Sequence, residues 1–283
     1  MSPPSPPAEQ QAARSRTVDQ RISIAAPTDV VWRALTEARE LMRWFPLEAG
    51  VSPGRGGTMR MCWPGEFEEE ARIDVWEPGR HLRVLGFPSG GAMTLVTDYY
   101  LESSGGGTVV RVVSSGFGAG EEWDELYEGV RCGWEFELRS LRQYLERHRG
   151  EDRRVAWART CFSCGHAAAW ERITRPGGWF GAAGLTLASP GERYRFRTAT
   201  GEELAGWVEV SEAPRQFAGT VENWNHGLFR LELWGREAAG RAVAWLATWG
   251  EPSRGIAALE QAWQGAMDAC LGGGRADGRS GGQ

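Results

Sequence analysis

The sequence predicts an α+β protein of two domains, each an antiparallel sheet covered by one long helix at its C-terminal end. Three observations support this prediction. The 283 residues fit two domains of roughly 140 residues. In the first half, alternating segments separated by Gly- and Pro-rich turns precede a stretch with helical periodicity. Several sequence landmarks also occur twice, in the same order.

The first half begins with a strand over 18–24, followed by a short helix that Thr28 is expected to cap. A second short turn reaches Trp44. The alternation and the Gly-rich turns then predict a meander of five strands, at 58–63, 67–76, 81–87, 93–102 and 108–116. A long helix over 121–148 follows, because apolar residues recur at 123, 127, 130, 134, 138, 141 and 145.

The second half repeats landmarks of the first. The segment 30–36 with Trp44-Phe45 has a counterpart in 168–174 with Trp179-Phe180. Further on, 57–61 matches 191–196, 75–80 matches 210–215, and each half closes with an amphipathic helix. A constant order with a nearly constant offset indicates a duplicated domain.

A charged stretch around Gly150 marks the predicted boundary between the two halves. The domains are therefore expected at 17–149 and 155–271, with a linker at 150–154. The Pro-rich residues 1–16 and the Gly-rich residues 272–283 are predicted to be disordered tails.

Composition excludes several classes of function. The net charge is −5, and an acidic chain is a poor match for nucleic-acid phosphates. All 32 basic residues are Arg, so chemistry that depends on a lysine Schiff base or a phosphate-binding lysine loop is excluded. No apolar run approaches the ~20 residues that cross a bilayer, and the five cysteines are odd in number and scattered. We therefore expect a cytoplasmic protein that binds neither nucleic acid nor membrane.

Six motifs of the first half, in this order, resemble the SRPBCC (START-like) superfamily, and within it the proteins related to the C-terminal domain of the activator of heat-shock-protein-90 ATPase. The motifs are Ala-Pro-Thr-Asp-Val-Val-Trp-Arg-Ala-Leu-Thr at 26–36, Trp44-Phe45, Gly56-Gly57, Val-Trp-Glu-Pro-Gly-Arg at 75–80, Gly-Gly-Gly-Thr at 105–108 and Gly133-Trp134. The resemblance spans about 17–148. Residues 155–271 look like a diverged second copy, which keeps Trp170 and Trp179-Phe180 but lacks the Gly-Trp pair in its last helix.

The resemblance implies a helix-grip fold, in which a curved sheet wraps around a long helix and leaves a cavity between them. Members use this cavity for apolar ligands, and a minority have lyase or cyclase activity or contact a chaperone. Binding of an apolar or aromatic small molecule without catalysis is therefore the leading hypothesis for the function. The alternatives are a co-chaperone that activates an ATPase, and a cyclase-, dehydratase- or hydrolase-like enzyme.

The candidate ligand-binding residues lie on the last helix and on the strands. Gly129 and Gly133 are four residues apart beside Trp134 in a predicted helix, where each glycine costs up to ~1 kcal/mol relative to Ala. Their missing side chains leave room either for a ligand or for close packing of helix on sheet. Trp63 and Tyr100 are expected to face this helix, in keeping with the resembled fold.

Three charged residues lie among apolar neighbours in predicted strands and complete the candidate site: Arg72, Asp98 and Arg111. A buried charge is costly unless it is paired, so an Arg and an Asp on one sheet face could orient the polar end of a ligand. Strand alternation does not decide their face, and positions on the solvated outer face are the alternative.

No catalytic residue, metal or cofactor is predicted. Cys161, Cys164 and His166 have zinc-like spacing, but a structural zinc site needs four ligands and the sequence offers no second pair. The four histidines suggest no triad, and no Gly-x-Ser-x-Gly motif is present. The run Glu68-Glu69-Glu70 alternates across a strand, so it does not by itself place two carboxylates together.

Overall fold

A computed structural model describes residues 16–86, 94–236, 239–250 and 255–272. The chain divides into two compact units between Glu151 and Asp152. The two predicted tails lie outside the described residues, except for Arg16 and Gly272. Within the described ranges, no helix is long and apolar enough to cross a membrane.

The first unit is a seven-stranded antiparallel sheet in the order β1-β7-β6-β5-β4-β3-β2. Its strands are β1 (Arg16–Ile24), β2 (Glu48–Ser52), β3 (Thr58–Trp63), β4 (Phe67–Glu77), β5 (His81–Gly86), β6 (Leu95–Ser104) and β7 (Gly107–Phe117). Its helices are α1 (Thr28–Thr36), α2 (Ala38–Leu41) and the long α3 (Asp124–Arg147). This confirms the predicted α+β fold with a C-terminal helix.

Two local features differ from the prediction. Thr28 does not cap α1: it is the first helical residue, Pro27 occupies the N-cap position and no side chain bonds there. The edge strand β2 was not predicted, because Glu-Ala-Gly-Val-Ser has weak strand propensity and a central glycine. Pairing with β3 along its whole length supplies what the sequence lacks.

Helix α3 packs on the sheet through the stripe that its sequence predicted. Trp134, Leu138, Leu141 and Leu145 are all buried. Its C-terminal end is attached to α2, because Tyr144 Oη donates to Glu40 Oε2 at 2.5 Å and Arg43 Nη1 pairs with Glu40 Oε1. These contacts fix which face of the helix lies toward the sheet.

The second unit repeats this arrangement with six strands in the order β8-β13-β12-β11-β10-β9, the same topology without an equivalent of β2. Its elements are β8 (Arg153–Phe162), α4 (His166–Thr174), β9 (Arg193–Arg197), β10 (Glu203–Glu212), β11 (Gln216–Val221), β12 (Gly227–Arg236), β13 (Ala239–Trp249) and α5 (Ile256–Leu271). The chain therefore folds as two helix-grip domains. Strand β8 begins within the predicted linker 150–154.

Backbone hydrogen bonds align the two units residue by residue. Leu101 N donates to Arg80 O at 2.8 Å, and Leu233 N donates to Arg215 O at 2.8 Å. A register shift also follows Ile73 in the first sheet and Val208 in the second. The predicted landmark pairs thus occupy equivalent places, and equivalent core positions can be compared directly.

The core of the second unit is filled by aromatic rings. Trp263 of α5 lies 4.9 Å from Trp179 and 6.1 Å from Phe229 between ring centroids, and all three side chains are fully buried. Phe180 and Phe196 pack on the same group, 4.5 Å apart. In this unit, aromatic rings occupy the region between α5 and the sheet, where the resembled fold implies a cavity.

A partly buried carboxylate attaches α5 to the β9–β10 turn. Glu202 Oε2 accepts hydrogen bonds from Thr198 Oγ1, from Thr200 Oγ1 and, at 3.2 Å, from Trp263 Nε1. Burial alone would raise the pKa of the Glu202 carboxyl, but these hydrogen bonds outweigh it and the pKa is lowered.

A folded-state pKa below the unfolded value means that Glu202 stabilises the fold above the ordinary glutamate pKa of 4.5, and that this stability is lost as the pH falls through the lower folded-state pKa. Glu202→Gln should therefore be less stable than the wild type at neutral pH, with the difference shrinking in acid. Urea unfolding at about pH 6 and about pH 3 measures this. A difference that does not change with pH would contradict it.

Candidate functional site

Aromatic rings from the helix, the sheet and the segment after α2 meet on the inner face of the first sheet, the face toward α3. The Trp134 ring lies 5.5 Å from Tyr99 of β6 and 5.4 Å from Phe45. Phe45 in turn lies 5.2 Å from Trp63 of β3. Two predicted site residues, Trp63 and Trp134, are thus joined through Phe45.

Polar groups lie beneath these rings. Trp134 Nε1 donates to Ser114 Oγ at 3.0 Å, and Ser114 Oγ lies 3.1 Å from Thr97 Oγ1 on the neighbouring strand. Ser114 is buried, so this pair of hydroxyls belongs to the interior of the domain. The inner face therefore offers hydrogen-bonding groups as well as apolar surface.

Glu69 is an ionisable residue on this face. It lies on β4 opposite Met61 and two residues before the fully buried Ala71, so its side chain points to the inner side. Its carboxylate lies over Gly86, where a β-carbon would overlap Glu69 Oε1. The glycine at this position therefore makes room for the carboxylate.

Burial raises the pKa of the Glu69 carboxyl above its usual 4.5. Burial also raises the pKa of the Tyr99 phenol, and the negative charge of Glu69 adds to that shift. Across the part of the chain that the structure describes, neither the Glu69 carboxylate nor the Tyr99 hydroxyl has a hydrogen-bond partner. Their oxygen atoms are not among the fully buried side-chain atoms without a partner. Both groups therefore lie on the aromatic inner face without a hydrogen-bond partner among the described residues.

The two predicted glycines also border open space. A β-carbon added at Gly129 or at Gly133 would meet no atom within 4 Å. Gly129 is exposed and Gly133 is partly exposed. Further along α3, Ser140 donates to Trp44 O at 2.7 Å, so the segment after α2 covers the helix there but leaves the two glycines uncovered. Close packing of helix on sheet does not explain these glycines.

Four predicted site residues lie on the outer face of the sheet instead. Tyr100 follows the inward-facing Tyr99, so it points away from α3, and it stacks on His81 at 4.4 Å. The Arg111 guanidinium lies over the same ring, at 5.9 Å. Asp98 shares this face, and Arg72 lies between the buried Ala71 and Ile73 with its side chain largely exposed.

The outer-face charges are paired with protein partners. Asp98 Oδ1 lies 2.6 Å from His81 Nε2 and accepts from Arg83 Nε at 2.8 Å. Arg111 makes two hydrogen bonds to the Asp19 carboxylate, at 2.9 and 2.6 Å. These contacts hold adjacent strands together. The structure thus places Arg72, Asp98 and Arg111, whose face the sequence left open, on the side away from α3, together with Tyr100, which was expected to face the helix.

Phe45, Glu69 and Tyr99 complete the inner face and were not among the predicted site residues. Successive side chains of a strand point to opposite faces of the sheet. Because Trp134 contacts Tyr99, this alternation places Thr97 on the inner face and Asp98 and Tyr100 on the outer face. Phe45 was visible as half of a repeated Trp-Phe landmark. Its counterpart Phe180 is buried in the aromatic core of the second unit.

Equivalent positions in the second unit are apolar. Thr97 corresponds to Phe229 through the aligned β6 and β12, and its partner Ser114 corresponds to Leu246. Glu69 corresponds to Leu204, counted from the shared register shift. All three replacements are fully buried. The same topology therefore has polar side chains at these inner-face positions in the first unit and apolar side chains in the second.

Cys161, Cys164 and His166 do not form a site. Cys161 lies opposite Arg241 in the sheet, whereas its neighbour Phe162 and Cys164 pack against the second core. His166 is buried, with Phe162 edge-on at 5.4 Å. Among the described residues, no group of three His, Cys, Asp or Glu side chains could hold a metal ion.

The raised pKa of Glu69 leads to a stability prediction. A folded-state pKa above the unfolded value contributes stability below the unfolded pKa, and this is lost as the pH rises through the folded-state pKa. Glu69→Gln should therefore be more stable than the wild type near pH 8 and should match it near about pH 3. Glu70→Gln, an exposed neighbour, is the control and should change little. A Glu69→Gln protein less stable at pH 8 would contradict this.

The seven-stranded antiparallel sheet and the long C-terminal helix packed on it define the first unit as a helix-grip domain. Residues 25–146 match the family described as Activator of Hsp90 ATPase homolog 1-like protein. This part of the first unit is therefore similar to that family, and the second unit repeats the fold of the first.

Solved structures give similar but distant matches. The protein MLL2253 from Mesorhizobium loti is 23% identical over 47% of this chain and 98% of its own, with a TM-score of 0.44. The Aha1 dimer from Colwellia psychrerythraea is 21% identical over 48% and 99%, with a TM-score of 0.44. DynU16, a protein in the dynemicin biosynthetic locus, is 18% identical over 90% and 96%, with a TM-score of 0.41. Comparison with curated proteins gives no match.

Proposed function

We propose that the first unit binds a small molecule with an apolar or aromatic body between α3 and the inner face of the sheet, without transforming it. One observation carries this proposal: Glu69 and Tyr99, which have no hydrogen-bond partner among the described residues, lie on the same sheet face as Trp63 and on the side toward Trp134. Apolar walls with a few polar groups are typical of small-molecule sites. The open space at the two glycines provides an entrance.

The second unit supports the proposal by contrast. Its inner face shows that this topology packs without Thr97, Ser114 and Glu69, because Phe229, Leu246 and Leu204 fill the same positions. A half-buried carboxylate without a partner costs stability. Its presence in the first unit is therefore better explained by a ligand than by the fold.

Acid–base catalysis of the cyclase or dehydratase kind is the second candidate function. The raised pKa of the Glu69 carboxyl favours it, because a general acid or base works best when its pKa approaches the working pH. Glu69 would take a proton from, or give one to, a bound substrate within hydrogen-bond reach. Under this alternative, Glu69→Gln would bind the substrate without converting it.

The test uses the full chain. Native mass spectrometry of the purified protein should show a retained small molecule, and titration with the neutral fluorescent probe N-phenyl-1-naphthylamine should show saturable binding to one site. Binding of the probe by a protein whose intrinsic tryptophan fluorescence does not change would place the probe elsewhere. If the tryptophan fluorescence does not change and the native mass spectrum shows no retained small molecule, the proposal is overturned.

Two further expectations stay proposals. The family description refers to an Hsp90 ATPase, and contact of this chain with such a chaperone is proposed on that resemblance alone. We also propose a cytoplasmic location, which five cysteines without disulfide partners favour.

A further inference from the structure

The environment of Glu69 indicates which chemical group of a ligand the first unit recognises. The elements around the carboxylate contribute Met61 and Trp63 from β3, Gly86 from β5 and Tyr99 from β6. No Arg or His of the described residues forms an ion pair or hydrogen bond with it. Among the described residues the ionised carboxylate therefore has no countercharge, which is costly for a partly buried group.

Aromatic residues share the inner face of the sheet with Glu69. Trp63 stacks on Phe67 at 4.9 Å, and Phe67 is two residues before Glu69 on the same side of β4. Phe67 is 47% exposed, so this stack reaches the surface. Trp134 and Tyr99 lie on the deeper side, with their rings 5.5 Å apart. The faces of aromatic rings attract cations, most strongly where water is excluded.

A carboxylate that pairs with no cation among the described residues, on a sheet face rich in aromatic rings, matches one ligand chemistry in particular. We infer that the molecule bound by the first unit carries a protonated amine on its apolar or aromatic body, and that this ammonium group pairs with Glu69. The inference rests on the proposed binding function and adds the class of ligand. Tyr99 Oη then serves as a second hydrogen-bonding group on the same side of the ligand.

The pKa of Glu69 is consistent with this pairing. Burial raises it in the empty site, and an ammonium group beside the carboxylate would lower it again. Binding of an amine should therefore release protons where Glu69 is partly protonated. A neutral ligand of the same shape would leave the carboxylate uncompensated.

Three ligands of nearly equal size separate the possibilities: 1-naphthylmethylamine, 1-naphthalenemethanol and 1-methylnaphthalene. Each is titrated into the full-length wild type, Glu69→Gln and the exposed control Glu70→Gln at pH 7.5, with calorimetry as the readout. The wild type and Glu70→Gln should bind the amine at least about tenfold more tightly than the hydrocarbon. Glu69→Gln should lose that advantage and bind the hydrocarbon as the wild type does.

The other outcomes contradict the inference in distinguishable ways. If the hydrocarbon binds and the amine gains nothing, the amine class is wrong while the binding function stands. If the alcohol gains as much as the amine, Glu69 accepts a neutral hydrogen bond and the inference fails. If none of the three ligands binds any of the proteins, both the inference and the proposed function are overturned.

Discussion

Replacing Trp263 by Ala is expected to destabilise the second unit by about 3–5 kcal/mol, the cost of deleting a large aromatic side chain from a packed core. Trp263 is fully buried, lies 4.9 Å from Trp179 and donates to Glu202. Its removal therefore leaves a cavity and also takes away one hydrogen bond to the carboxylate. Urea unfolding, with hydrogen exchange of β12 and β13 followed by mass spectrometry, assigns the loss to this unit.

Trp234 is the matched control for this change. It is 38% exposed on β12, with Arg241 over its ring at 5.3 Å. Trp234→Ala should cost less than about 1 kcal/mol, because little apolar surface is uncovered. Equal losses at the two positions would contradict the description of the second unit as a filled aromatic core.

Gly133→Leu is expected to abolish binding of N-phenyl-1-naphthylamine while leaving the protein as stable as the wild type, or more stable by up to about 1 kcal/mol. A β-carbon at this position meets no atom within 4 Å, so the leucine side chain enters open space beside Trp134. Helix propensity favours the substitution. The expected gain in stability comes from this propensity, and the expected loss of probe binding follows from the proposal that a ligand occupies this space.

Gly265→Leu provides the control in the second unit. Gly265 is also in a helix interior, is exposed, and a β-carbon there meets no atom within 4 Å. This variant should show the same gain in helix stability and should bind the probe as the wild type does. Destabilisation of Gly133→Leu by about 1–3 kcal/mol with probe binding retained would mean an overfilled packed interface, and would contradict the site.

The fold could be predicted because its signals are periodic and repeated. The apolar residues at helical spacing predicted the long helix α3, and the duplicated Trp-Phe landmarks indicated two copies of one topology. Strand β2 escaped prediction, since its five residues are defined by pairing with β3 and not by their own propensity. Helix α1 begins at Thr28, one residue earlier than a capping role for that residue implies.

The site was predicted only in part, because the side chains of two neighbouring strand residues point to opposite faces of the sheet. Tyr99 and Tyr100 are chemically alike, and only the contact of Tyr99 with Trp134 shows which one faces inward. The same ambiguity hid Glu69 within Glu68-Glu69-Glu70. Asp98 and Arg111 pair with residues of neighbouring strands, so their roles depend on a register that one sequence does not contain.

The first unit is proposed to hold a small molecule between α3 and the inner face of its sheet. Photoaffinity labelling of the full chain with a diazirine derivative of naphthalene, followed by peptide mass mapping, locates such a site. We expect labelling of peptides that contain Trp63, Glu69, Tyr99 and Trp134, with loss of the label when N-phenyl-1-naphthylamine competes and in Gly133→Leu. Labelling concentrated on peptides of the second unit, or spread over the surface and insensitive to competition, would contradict it.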